Sequence, residues 1–205
     1  MRPDHGTLYG REVRLRADEV SPTRARLQTL TLLLILLSSC EGDHFPQQIP
    51  DQSYPNGHPL VVNEIDPSLD EIEQDLVAMT NQARSMSGLP ALEYYPSLSA
   101  VARGHSAHMP IHFFYDHQNP EGDGPIQRLA HVAGGWSVEA ENISLVDDGT
   151  SAADIFAGFM GSPEHRANLL SPIVSAVGVG VVRGRHYLLA NQMALYVTME
   201  FVWKE

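Results

Sequence analysis

Val177-Gly178-Val179-Gly180-Val181 alternates a β-branched residue with glycine. A period of two is the signature of a strand, and glycine on one face lets another layer come close there. Tyr187 to Ala190 and Ala194 to Trp203 read as further strands, with Arg183-Gly184-Arg185 as a turn between them. Upstream the period changes to three and four. Leu69, Ile72, Leu76, Met79, Ala83 and Met86 make one helical stripe, opened by a Ser68/Glu71 capping box and stopped by Gly88 and Pro90. A second helix starts at Ser97, with Leu98, Val101, Ala102, His105 and Met109 on one face and Pro110 ending it. Shorter helices are expected over 125–130, 151–160 and 162–170. Helices first and strands last predict an α+β fold, with helices packed on an antiparallel sheet.

The segment before this domain has a different logic. Arg14, Arg16, Arg24 and Arg26 precede the apolar run Leu30 to Leu37, which is followed by Ser38-Ser39-Cys40. A basic flank, a short apolar core and small residues describe a signal peptide over residues 1–39, too short in its core to span a bilayer comfortably. Asp4, Glu12, Asp18 and Glu19 dilute the basic region, so residues 1–19 read as an extension upstream of the true translation start. Leu37-Ser38-Ser39-Cys40 resembles the lipobox of bacterial lipoproteins, which implies lipidation of Cys40, the only cysteine in the chain. The plainer alternative is a signal segment with an incidental cysteine. Residues 40–67 contain Pro46, Pro50, Pro55, Pro59 and Pro67 and read as a tether, leaving 68–205 as the domain. Without residues 1–39 the chain keeps 7 basic and 21 acidic residues. Such a surface repels phosphate backbones, so nucleic acid is excluded as a partner.

Familiar catalytic signatures are absent: there is no nucleophile elbow, phosphate-binding glycine loop or HExxH pair. His105, His108, His112 and His117 crowd one segment and invite a metal reading. Helical geometry argues against it, because His105 points with the apolar stripe, His108 sits at its edge and His112 lies past the proline. His105 is expected to be a hydrogen-bonded core residue. His117 precedes the turn-rich Asn119-Pro120-Glu121-Gly122, where side chains more often face a cleft.

An ordered set of short motifs covers 69–202. It runs Asn81-Gln82-Ala83-Arg84, Gly88-Leu89-Pro90-Ala91-Leu92, Ala102-Arg103-Gly104-His105-Ser106, Phe113-Phe114 ending in His117, and Asn119-Pro120-Glu121-Gly122. Ala140-Glu141-Asn142-Ile143, Ser162 to Leu170 and Val177-Gly178-Val179-Gly180 complete it. The set resembles the bacterial branch of the CAP superfamily, or SCP-like domain, which includes cysteine-rich secretory proteins, venom allergens and plant pathogenesis-related group 1 proteins. The resemblance implies a three-layer α-β-α sandwich with a shallow cleft lined by two histidines and two acids. Carried over by position, these are His117, Glu141 and His165; the second acid has no clear counterpart. Ser162 stands near its place and Glu164 is the nearest acid.

Two imidazoles and a carboxylate suit Zn²⁺ or another divalent cation with a fourth position left for water. The alternative is that these residues hydrogen-bond one another and knit loops over the sheet, with Asn142 in a structural role beside them. Two functions follow. One is an envelope lipoprotein, on the outer membrane or cell surface, presenting its cleft to a lipid, glycan or protein ligand; eukaryotic members of the family often act by binding. The other is a metal-dependent hydrolase of peptides or cell-wall material, with Glu141 or Glu164 as general base. A third, blander possibility is a structural envelope protein whose cleft does nothing. Binding is the expectation over catalysis.

Overall fold

The structure, a computed structural model, describes residues 62, 66–132, 137–189 and 191–203. The signal peptide, Cys40 and nearly all of the tether lie outside these. Nine elements follow in order: α1 (Pro67–Met86), β1 (Glu93–Tyr94), α2 (Pro96–His112), α3 (Pro125–Val132), β2 (Ser137–Asp147), α4 (Ala152–Gly161), α5 (Pro163–Leu169), β3 (Ala176–Arg185) and β4 (Met193–Trp203). Among the described residues, no helix is long and apolar enough to cross a membrane.

The four strands form one sheet in the order β1-β3-β4-β2. β4 pairs antiparallel with both β3 and β2, while β1 pairs parallel with β3. The sheet is therefore mixed, not purely antiparallel. The parallel pair arises because β1 feeds α2, which crosses the sheet before the chain returns along β3.

The alternation at 177–181 separates two faces. Val177, Val179 and Val181 are buried in the main core with Leu69 and Leu76 of α1, Ile155 and Phe159 of α4, and Leu169 of α5. Each fully buried aliphatic side chain of this kind contributes about 1.5–3 kcal/mol relative to exposure. The glycines face α2. A Cβ on Gly178 would come within 2.4 Å of the Leu98 backbone, and one on Gly180 within 2.1 Å of the Arg103 backbone. Glycine is thus what allows α2 to lie directly on the sheet, and helices on both faces give the three-layer α-β-α sandwich.

Several local readings change. The cap of α1 is Asp66, whose carboxylate accepts from the Ser68 N–H at 2.9 Å. The buried face of α1 is Leu69, Glu73, Leu76, Thr80 and Arg84, while Met86 is exposed. The face is rotated because two charged side chains find partners inside. Pro110 does not end α2, which runs on to His112 and leaves through Phe113 in the left-handed region (φ 57°). Pro110 packs instead against Gly184. Arg183-Gly184-Arg185 belongs to β3, and the turn falls after it, where the Leu188 and Leu189 N–H groups donate to His186 Nδ1. Tyr187 to Leu189 are accordingly loop, and β2 is a strand that apolar alternation alone did not disclose.

Candidate functional site

β1 is only two residues long, so β3 is left as an edge beyond Val177. Side chains cover it. Ser99 Oγ accepts from the Val179 N–H and Glu73 Oε1 from the Val181 N–H, both at 2.9 Å. Arg103 of α2 grips Glu73 with two bonds of 2.9 and 2.8 Å and donates to the Val62 carbonyl. Arg84 works similarly on the other side, donating to the carbonyls of Pro90, Leu169 and Ser171. These groups are structural: each is bonded to backbone, and the Glu73 and Arg103 side chains also to one another.

A second buried network does open outward. Glu141 stands in β2 directly opposite Glu200 in β4. Arg128, one turn into α3, donates to Glu141 Oε2 and, at 3.3 Å, to Glu200 Oε1. All three side chains are buried. Glu141 Oε1 meets His117 Nδ1 at 2.6 Å, and the His117 ring is half exposed. The Glu141–His117 pair therefore carries the buried charge network to the surface. Arg128 also donates to the His117 carbonyl at 2.8 Å, so one guanidinium fixes both the backbone and the carboxylate partner of the imidazole.

One guanidinium between two carboxylates leaves an excess negative charge in a desolvated site, which is resolved by retaining a proton. Burial, with the Glu141 charge beside it, holds Glu200 well above the usual glutamate range. Burial also raises Glu141, against the opposing pull of Arg128. Both shifts favour a proton kept within the pair, and the stronger upward pull is on Glu200, since Glu141 has both the arginine and the histidine beside it.

His165 and Glu164 come from α5, capped by Ser162, whose hydroxyl accepts from the His165 N–H. His165 is partly buried with its ring edge-on to Phe159 at 5.3 Å, and Glu164 is exposed. Burial, then the nearby His117, lowers the His165 pKa, while Glu164 opposes the shift. Asn142, next to Glu141 on β2, donates to the His165 carbonyl at 3.0 Å and accepts from Asn168 at 2.8 Å. These bonds dock α5 on β2. Along the α4–α5 corner runs an open groove of about 610 Å³ lined by Met160, Pro163, Arg166, Ala167, Leu170 and Pro172, among others.

Among the described residues, the group of three ligand atoms lying within 4.8 Å of one another is a different one: His108, His112 and Glu121. That group could hold a metal ion. His112 does not lie past the end of the helix: α2 continues through Pro110, which puts His108 and His112 four residues apart on one face. His105 is a core residue, with Nε2 at 3.0 Å from the Asp116 carbonyl and a pKa pressed well below normal by burial. Arg128 and Glu200 are the residues sequence reasoning missed. An acid inside the otherwise apolar run of β4 was the available signal, since a buried carboxylate needs a partner.

Comparison with known proteins agrees with this architecture. Residues 77–201 match the model of the cysteine-rich secretory protein family, CAP. The uncharacterized protein YkwD of Bacillus subtilis is 30% identical over 115 residues, which are 56% of this chain and 44% of that protein. The chain thus spans less than half the length of that curated relative. An outer surface protein of Borrelia burgdorferi superposes with a TM-score of 0.56 at 18% identity, covering 69% of this chain and 97% of that one. An extracellular protein containing an SCP domain from Bacillus anthracis gives 0.54 at 23% identity, over 69% and 45% of the two chains. At those identities the likeness is one of fold. With the family model covering more than half of its length, the chain belongs to the cysteine-rich secretory protein (CAP) family.

Proposed function

We propose that this is an exported, envelope-anchored CAP protein whose cleft binds a ligand and does not turn one over. The observation that carries the reading is the commitment of Glu141. Its side chain is 1% exposed, one oxygen meets His117 and the other meets Arg128. A carboxylate so engaged is a poor general base, and it is better suited to orient an imidazole. In that role it fixes His117 through Nδ1 and directs Nε2 outward, the arrangement in which a carboxylate supports a metal-bound histidine. His117 and His165 are then the side chains that would hold a divalent cation, Zn²⁺ by their donor type, with Glu141 behind the first of them. Bound there, the cation would supply a Lewis-acidic anchor for an oxygen of the ligand.

The α5 groove narrows the ligand class. Its volume falls in the range of small-molecule sites, and its lining is mostly apolar with one cation, Arg166. An amphiphile with an acidic head fits this chemistry. Anchoring through Cys40 would keep such a protein at a membrane, and the outer-surface and extracellular relatives accord with export. The hydrolase alternative retains Glu164, an exposed acid next to His165, as its general base.

Displacement of a fluorescent fatty acid from the full chain in mild detergent tests the reading. Leu170→Asp should weaken binding at least tenfold, about 1.4 kcal/mol, by placing a charge in the apolar wall. Equal binding by wild type and variant would remove the groove from the function. Metal-dependent peptide or glycan hydrolysis that disappears in His117→Ala/His165→Ala would favour the enzyme instead.

A further inference from the structure

The last turn of α2 and the turn that follows it make a second, separate arrangement of ligand-type side chains. His108 and His112 project from the same side of the helix, their rings edge-on with centroids 4.2 Å apart. His108 is buried, His112 is half-buried and Glu121 lies at the solvent rim. Phe114 closes the inner wall, edge-on to His108 at 5.6 Å. Glu121 Oε2 stands 3.5 Å from His108 Nε2. That is longer than a charge-assisted hydrogen bond. It is close to the spacing of about 3.4 Å that two ligands share in a tetrahedral site with bonds of about 2.1 Å.

The loop that carries Glu121 is hydrogen-bonded across itself. The Asn119 N–H donates to the Asp123 carbonyl, the Gly122 N–H donates to the Asn119 carbonyl, and the Asp123 N–H donates to Asn119 Oδ1. Arg128 donates to the carbonyls of His117 and Asp123, at the two ends of the same turn. A movement of Glu121 therefore carries the His117 backbone with it.

We propose that His108, His112 and Glu121 bind a zinc-class divalent cation that clamps the 113–124 loop to the end of α2 and so sets the position of His117. Two imidazoles and one carboxylate match zinc's preferred donors and leave a fourth position for water. The i, i+4 spacing on one face of α2 makes two of the three ligands preorganised. Glu121 completes the set only when its turn is docked, so binding and docking are linked. The consequence at His117 rests on the cleft reading above; the cation site does not.

The full chain in mild detergent is titrated with Zn²⁺ by calorimetry and with Co²⁺ by visible absorption, alongside amide hydrogen exchange with and without Zn²⁺. His112→Gln/Glu121→Gln alters only partly exposed positions, and His117→Ala/His165→Ala serves as the second form. The clamp requires that the first variant, which removes two direct ligands, lose about 100-fold or more in affinity, at or beyond the top of the roughly 10–100-fold range typical of indirect partners of a metal. It also requires that Zn²⁺ slow exchange across 117–123 in wild type and in the His117/His165 variant, but not in His112→Gln/Glu121→Gln. Zinc binding unchanged in His112→Gln/Glu121→Gln overturns the proposal, as does a wild type that binds none. Loss in the His117/His165 variant alone overturns the clamp while leaving a cleft metal standing. Loss in the His112/Glu121 variant alone does the reverse.

Discussion

Two buried ion networks sit on the same sheet and differ in their arithmetic. At the β3 edge, Arg103 faces one carboxylate, Glu73, and every strong bond is spent on that pair or on backbone. At the β2–β4 ladder, Arg128 faces two, Glu141 and Glu200, and the surplus is passed to a histidine at the surface. The balanced network closes an edge that β1 is too short to pair, which a protein must do to avoid templating further strands. The unbalanced one holds two carboxylates against one guanidinium next to an exposed imidazole. Charge balance, more than burial, separates the network that closes an edge from the one that reaches the surface.

The comparison is broken most forcefully at the balanced pair. Arg103→Met leaves Glu73 buried without its cation and should cost about 3–5 kcal/mol in urea unfolding. Glu73→Gln/Arg103→Met should recover most of that loss, because the amide oxygen still accepts from the Val181 N–H while the charge is gone. A double variant no better than the single one would mean that Arg103 acts through something other than Glu73.

The unbalanced network answers to pH. Burial holds Glu200 above the ordinary glutamate range in the folded protein, whereas in the unfolded chain it ionises in that range. Its contribution to stability is thus complete below that range and falls as pH climbs from it towards the raised folded value. Glu200→Gln retains a neutral side chain at every pH. It should flatten the decline of Tm above pH 5 and leave the variant the more stable form at pH 8. A Tm profile parallel to that of wild type would show that the proton is not held there.

Legibility in the sequence follows the same division. Signals local to one element came through: the Val/Gly alternation of β3, the helix starts read at Ser97, Pro125 and Ser162, each within a residue of the observed one, and the ordered motifs of the family. Signals that depend on a partner did not. The apolar stripe of α1 was offset because Glu73 and Arg84 are buried by residues 30 and 85 or more positions away. Pro110 was a misleading stop, since a proline near a helix end removes little and the bare Gly184 of β3 leaves room for its ring. Glu141 and His117 were identified, but Arg128, which holds both, carries no mark in its own segment. The distance between Glu141 and Glu200 in the chain conceals that they are neighbours across one ladder.

His117→Ala should have the smallest effect on stability, within about 0.5–1 kcal/mol, because half of the side chain is already in solvent. Its value lies in what it does to the other end of the network. Glu141 loses its imidazole partner but keeps Arg128, so the carboxylate remains satisfied and the fold holds. Any cation held by His117 and His165 should nevertheless be lost, because one of its two imidazoles is gone. A balanced network has no such separation: each partner removed from Glu73–Arg103 is felt as unfolding. Parallel measurement of Tm and Zn²⁺ affinity on His117→Ala and Arg103→Met therefore puts the distinction to a direct test. Should His117→Ala destabilise as much as Arg103→Met, His117 would be a structural member of its network, and the functional half of the comparison would fall.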